Sequence, residues 1–262
     1  MSADACLVLC TALPEAIEPA ALEAALRCRL ARCRSAVGSM THSSDLDRPG
    51  DRLLDAATLA RIDRLHQPLD RLRSLLGRLL LRHGLMLLGA DLGAGASLVA
   101  GPYGKPRLQH GGPEFNLSHA GRRVVCALSR AAVGIDVEQL RPCDLQLAWR
   151  YFHRRECEVL ARQPVHAQAD YFFHLWTAKE AYIKALGLGF QRDMASFCVV
   201  DGQGAIVLDD PQQPPQYSAR PLQLTHLVLD PAYRLALCRT EPAVAVTHVS
   251  CDQLLMEPTS PH

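Results

Sequence analysis

The sequence predicts an α+β fold. Two leucine-rich stretches, 53–65 and 69–88, carry apolar residues at helical spacing. Short strand-like runs at 97–99, 124–128 and 134–138 follow between Gly/Pro turns. Helices at 144–161 and 168–187 and strands at 196–200, 204–208, 222–229 and 233–239 then mix without regular βαβ alternation, which argues against a doubly wound sheet. Taken in order, residues 5–10 (ACLVLC) form a short apolar run that reads as a buried strand. Residues 19–34 are rich in Ala, Leu and Arg and read as a helix, and 35–50 (SAVGSMTHSSDLDRPG) as a small, polar loop or linker. Pro68 punctuates the next two helices. In the second of them Leu72, Leu75, Leu76, Leu79 and Leu80 make the core stripe, leaving Arg71, Arg78 and Arg82 to a solvated or ligand-facing side. Residues 209–216 (DDPQQPPQ) read as a loop, and the tail from Glu257 as frayed.

Composition narrows the function. The chain has 262 residues, 48% of them hydrophobic, so a sizeable core is available for one large domain or two half-sized ones. A formal net charge of +1 argues against a nucleic-acid binder that works by bulk charge. The ten cysteines include no C-x-x-C pair and read as reduced, mostly buried thiols. The N-terminus has no basic segment ahead of its short apolar run, so no signal peptide is expected. Arg71, Arg73, Arg78, Arg82 and His83 interrupt the leucine-rich helix, so no uncharged run of about 18 residues exists to span a membrane. A cytoplasmic protein is expected. Of the 28 Lys and Arg residues only Lys105, Lys179 and Lys184 are lysines, and all three fall in the motifs below. Lysine is a compact point charge suited to phosphate, for which arginine is not an equal substitute.

Residues 134–138 read GIDVE. On a strand Ile135 and Val137 point to one face, while Asp136 and Glu138 point together to the other, about 7 Å apart. Two such carboxylates can reach one hard cation, and an incomplete oxygen shell suits Mg²⁺. An ordinary solvated strand face would look the same. Residues 174–187 (HLWTAKEAYIKALG) place Trp176, Glu180 and Lys184 on one helical stripe and leave Leu175, Ala178, Tyr182 and Leu186 for the core. Glu180 and Lys184 can be a surface ion pair, or a third metal ligand or general base beside a phosphate-binding lysine. Residues 103–106 (YGKP) read as a turn around Lys105. In 115–119 (FNLSH), the Ser118 hydroxyl, the His119 ring and nearby backbone N–H groups could cradle phosphate. No G-x-S-x-G elbow supports a Ser–His nucleophile.

Each motif is weak by itself, but their order is specific. YGKP, FNLSHAG, GIDVE and FFHLWTAKEAYIKALGLG follow one another at spacings that resemble the surfactin-synthetase-type 4′-phosphopantetheinyl transferases. RSLLGRLLLR resembles that family's basic helix, and the likeness spans about three quarters of the chain. The resemblance implies a pseudo-twofold pair of similar α+β halves, 1–132 with an insertion near 35–50 and 133–262 carrying the metal site. It implies Mg²⁺, with Mn²⁺ as a substitute, on Asp136, Glu138 and Glu180, and catalysis by these three with Lys184. Coenzyme A, the co-substrate, falls to Arg61, Tyr103, Gly104, Lys105, Asn116, Ser118, His119 and Lys184. Arg61 stands in because Thr58 occupies a position where the family has a basic residue. The implied activity is transfer of phosphopantetheine to a serine of an apo acyl or peptidyl carrier protein, releasing adenosine 3′,5′-bisphosphate. Glu180 or a metal-bound water is the base. The implied enzyme is a monomer with broad carrier tolerance, suited to secondary metabolism, with neither nucleic acid nor membrane as partner. The segment 187–194 is the implied carrier surface, mobile and mildly basic, with Leu188 and Phe190 as apolar anchors. Two other readings remain at this point: a silent binding module for coenzyme A or carrier, and a metal-dependent phosphatase or nuclease.

Overall fold

A computed structural model of the chain describes residues 5–14, 51–90 and 97–256, with isolated positions between 24 and 31. The loop at 35–50, the tail from Glu257, most of the helix at 19–34 and the side chain of Phe190 lie outside the described residues. The fold is α+β. Two sheets stack face to face, and each carries a long helix on its outer face. Sheet A has the order β11-β1-β5-β4, built from β1 (Ala5–Ala12), β4 (Glu114–Ala120), β5 (Arg123–Ser129) and β11 (Ala243–His248). Sheet B has the order β6-β10-β9, from β6 (Val133–Gln139), β9 (Gln223–Leu227) and β10 (Tyr233–Arg239). Two small hairpins complete the strands: β2 (Leu98–Ala100) with β3 (Pro106–Leu108), and β7 (Cys198–Val200) with β8 (Ile206–Asp209).

Strand alternation assigns the layers. On β1, Leu7 and Leu9 join Phe115, Val124, Cys126 and Leu128 in a core under α2 (Pro68–Leu87), to which Leu59 and Ile62 of α1 (Ala56–Asp63) also belong. The alternate residues Cys6, Val8 and Cys10 meet Val133, Ile135, Val137, Leu235 and Leu237 between the sheets. The outer face of sheet B, including Ala236 and Cys238, packs on Leu175, Ala178, Ala181 and Tyr182 of α5 (Val165–Leu186). β1 is buried on both faces, which is why ACLVLC is an uninterrupted apolar run.

The structure departs from the sequence reading in several places. FNLSH, which lies outside the strand-like runs read from the sequence, is the body of β4, paired with β5 residue for residue. The helix expected at 144–161 is two, α3 (Gln146–Tyr151) and α4 (Arg154–Ala161). His153 breaks it: its ring accepts from Arg155 N at 3.2 Å, and Glu156 accepts from His153 N at 2.9 Å. Arg82 is not on a solvated face but only 3% exposed. Helix α2 is covered by sheet A on one side and by α6 (Cys251–Met256) and α1 on others, so its buried stripe widens to include Leu81 and Leu85. Strand β11 was not anticipated. It lies parallel to β1 and brings the end of the chain back to the first sheet.

Candidate active site

The site begins with a missing side chain. A Cβ on Gly134 would sit 2.0 Å from the Ala181 carbonyl oxygen and 2.4 Å from Ala185 N. Glycine in GIDVE therefore lets the backbone of α5 press directly on β6. That contact sets Glu180 and Lys184 over the face of β6 that carries Asp136 and Glu138. The Lys184 ammonium pairs with Asp136 Oδ1, lies 3.4 Å from the Ile135 carbonyl and 3.3 Å from Ser118 Oγ.

β6 is the edge of sheet B, so every second N–H and C=O along it faces away from β10. Buried edge groups need partners, and the motif side chains supply them. Lys105 Nζ donates to Val133 O at 3.0 Å. Asn116 Oδ1 accepts from Ile135 N at 2.9 Å, and Ser118 Oγ accepts from Val137 N at 3.3 Å while donating to Asp136 Oδ1 at 2.9 Å. Four polar residues that the sequence nominated for coenzyme A thus meet along one strand edge. Asn116 and Ser118 join the two sheets there, since β4 is the edge of sheet A.

The carboxylates differ in their engagement. Asp136 is 5% exposed; its Oδ1 is occupied, while its buried Oδ2 has no hydrogen-bond partner among the described residues. Glu138 takes a bond from Arg141 at 3.0 Å. Its carboxyl is pushed above the usual range, mainly by desolvation, with Asp136 acting in the same direction. Glu180 is also raised by desolvation; Lys184 opposes this, and Asp136 and Glu138 add to it. The three acids lie within electrostatic reach of one another. Among the described residues, however, no three His, Cys, Asp or Glu side chains are gathered tightly enough to hold a metal ion. The donor chemistry nonetheless fits one. An orphaned buried carboxylate oxygen beside two further carboxylates is an all-oxygen set for a hard cation.

Positive groups collect on the other side. His119 is pushed below its ordinary value by desolvation and then by Arg73, with Lys184 adding to the effect. Arg73, which the sequence reading did not single out, donates to the Gly121 carbonyl and to Asp70. Lys105 is lowered by burial, its ammonium turned to Val133 O and, at 3.7 Å, Glu114. Its stem lines a cleft of about 220 Å³ with Tyr103, Arg107, Leu186 and Gly187. Gly104 turns the adjacent loop with φ +85°. Arg61 stands exposed on α1, where its charge acts on Arg78.

Two neighbours behave differently from the sequence reading. Lys179 is wholly buried, paired with the equally buried Glu156 at 2.7 Å, donating to Phe197 O at 2.8 Å and lying over the Phe197 ring. It ties α5 to α4 and β7 on the side away from sheet B. Its place in K-E-x-x-x-K gave no hint of this, because the partner is distant in sequence. Arg192 does not make 187–194 basic. Its charge is taken by the buried Asp210, which also accepts from Tyr182.

The fold and site define an α+β protein in which a serine from one sheet and a lysine from a helix converge on an acidic strand at the edge of the other sheet. Residues 132–238 match the model of the 4′-phosphopantetheinyl transferase superfamily. The chain is 38% identical over 202 residues to the 4′-phosphopantetheinyl transferase psf-1 of Bacillus pumilus, covering 75% of this chain and 84% of that protein. It is 37% identical over 159 residues to Sfp of Bacillus subtilis strain 168, covering 58% and 68%. With ffp of Bacillus subtilis it shares 31% over 228 residues, covering 80% and 97%. The chain belongs to the 4′-phosphopantetheinyl transferase family.

Proposed function

We propose that this chain moves the 4′-phosphopantetheine arm of coenzyme A onto a serine of an apo acyl or peptidyl carrier protein, with Mg²⁺ held by Asp136, Glu138 and Glu180. The observation that carries this reading is the convergence on Asp136 of three motifs from three elements. Asp136 comes from β6, Ser118 from β4 and Lys184 from α5. When bound, Mg²⁺ supplies positive charge for the phosphoryl oxygens. The serine oxygen attacks the β-phosphorus, the anhydride to the α-phosphate breaks, and adenosine 3′,5′-bisphosphate leaves. Lys184 and His119 hold the charge that develops on the phosphates. Glu180 takes the serine proton; its place on α5, which the Gly134 contact presses onto the face of β6 carrying Asp136 and Glu138, supports that role. The cleft beside Tyr103 and Lys105 receives the nucleotide end.

We place the boundary between the halves at 132/133, which the separation of sheets A and B supports. β11 and α6 return to the first half. The segment 187–194 remains our candidate carrier surface. Its support is the position of its short helix, Gly189–Gln191, next to the end of α5. The described cysteines are free and mostly buried, which supports a reducing, cytoplasmic setting. Among the described residues no helix is long and apolar enough to cross a membrane. The test is incubation with coenzyme A, Mg²⁺ and a panel of apo carriers, read by intact mass with and without excess chelator. Conversion that chelator abolishes is expected. Full conversion in chelator removes the metal from the account.

A further inference from the structure

The hairpin turn between β4 and β5 is gripped from both halves of the molecule. Gly121, with φ +51°, and Arg122 form a two-residue turn, since Ala120 pairs with Arg123. From the first half, the Arg73 guanidinium donates to the Gly121 carbonyl, Leu13 N donates to the Arg122 carbonyl at 2.8 Å, and the Arg122 guanidinium donates to the Leu13 carbonyl at 3.1 Å. From the second half, the Tyr233 hydroxyl accepts from Arg122 N at 2.9 Å, and Asp230 pairs with Arg123. The turn fits so closely that a Cβ on Gly121 would lie 2.3 Å from Gln139 Oε1 and 2.5 Å from the Tyr233 hydroxyl. Tyr233 is 8% exposed, sits directly opposite Gln139 in the β6–β10 register, and packs in the core between the sheets.

This grip sits at a consequential place. His119 lies two residues before the turn on β4, and Glu138 is the neighbour of Gln139 on β6. We propose that Tyr233 is a positioning residue: by fastening the β4–β5 turn to the end of β6 and β10, it fixes the separation of His119 on one sheet from Glu138 on the other. The inference rests on the site reading above, in which His119 holds phosphate and Glu138 metal. Donors and carboxylates on different sheets act on one phosphoryl group only while the sheets hold one register. Asn116 and Ser118 set that register in the middle of β4, and Tyr233 sets it at the end.

The test compares Tyr233→Phe and Gly121→Ala with wild type in steady-state transfer, varying coenzyme A at saturating carrier. Thermal unfolding is measured alongside, and Glu138→Gln is assayed in parallel. Phenylalanine keeps the ring and its packing and removes only the acceptor for Arg122 N. A drop in kcat of about tenfold is expected for Tyr233→Phe, with the KM for coenzyme A within about twofold, because small misplacements act on the reacting geometry. Gly121→Ala, which pushes the turn away from Tyr233, should give the same split. Unchanged kcat with only a lower melting temperature overturns the inference, as does a loss that falls wholly on KM. If Glu138→Gln itself leaves kcat unchanged, it is the site reading that fails; if Glu138→Gln lowers kcat and Tyr233→Phe does not, only the positioning role fails.

Discussion

At the scale of the residue, Lys184 is the side chain on which most of the site turns, since it touches Asp136, Ser118 and the edge of β6 together. Lys184→Ala is expected to lower kcat by about 10²-fold, the usual loss for one preorganised donor in a phosphoryl or oxyanion site. Lys184→Arg should recover only part of it, because a planar fork cannot occupy the place of a compact ammonium among three acceptors. Steady-state kinetics decide, and full activity in the arginine variant would show that a point charge is not required. A second residue makes a stability prediction. His226 stacks on His174 at 3.6 Å between ring centroids, its Nε2 lying 3.0 Å from the His174 carbonyl and its buried Nδ1 without a partner among the described residues. Burial, and then His174, push it down to about 3. Between its ordinary value near 6.5 and about 3, the unfolded chain binds a proton that the folded chain refuses. Its contribution to stability is therefore complete above pH 6.5 and is lost as pH falls through that window. His226→Asn should flatten the fall of melting temperature between pH 6.5 and 4, and an unaltered slope would assign the acid sensitivity elsewhere. The motif residues were legible in the sequence because their types and spacing are local properties. That Lys105, Asn116 and Ser118 direct polar atoms at the edge of β6 was not legible, since a hydrogen-bond partner is settled only by tertiary packing. Lys179 shows the same limit: a lysine beside Glu180 is half of a core ion pair with Glu156.

At the scale of the element, the helix α5 and the strand β6 act as one unit. The contact between them leaves no room for a methyl group on Gly134. Gly134→Ala must push α5 away from β6, at a cost of about 1–3 kcal/mol as an overpacked core. It should cost activity out of proportion to stability, because the same shift withdraws Glu180 and Lys184 from Asp136. Chemical denaturation and transfer kinetics on the one variant check both parts, and normal activity with normal stability would show that the helix has slack. The apolar periodicity of α2 and α5 and the strand character of β1, β5, β6 and β10 were readable, because each has a buried face that dictates its pattern. Where elements were misread, a local feature outweighed the pattern. His153 stops a helix in the middle of helix-forming sequence by capping the next one. FNLSH carries polar residues in a strand because their side chains serve the neighbouring sheet. AVAVTH of β11 alternates as a strand should, yet its pairing with β1 spans nearly the whole chain.

At the scale of the whole molecule, two sheets, each backed by a long helix, meet face to face, and the residues of the site come from both. The first half contributes Ser118, His119 and Lys105. The second contributes Asp136, Glu138, Glu180 and Lys184. The α+β class and the order of the motifs could be read from the sequence. The stacking of the sheets, with β4 facing β6 and the end of the chain returned to β1, could not, because it rests on contacts far apart in the chain. The central claim is that this meeting place is a metal-assisted phosphoryl-transfer site. Glu138 tests it with least risk to the fold, its side chain being partly exposed and, among the described residues, bonded to Arg141. The measurement is the initial rate at which an apo carrier gains one phosphopantetheine, by intact mass, with Glu138→Gln against wild type at saturating coenzyme A and Mg²⁺. The account predicts an unchanged melting temperature and a rate at least about 10²-fold lower. Transfer at the wild-type rate by the folded Glu138→Gln protein would contradict it.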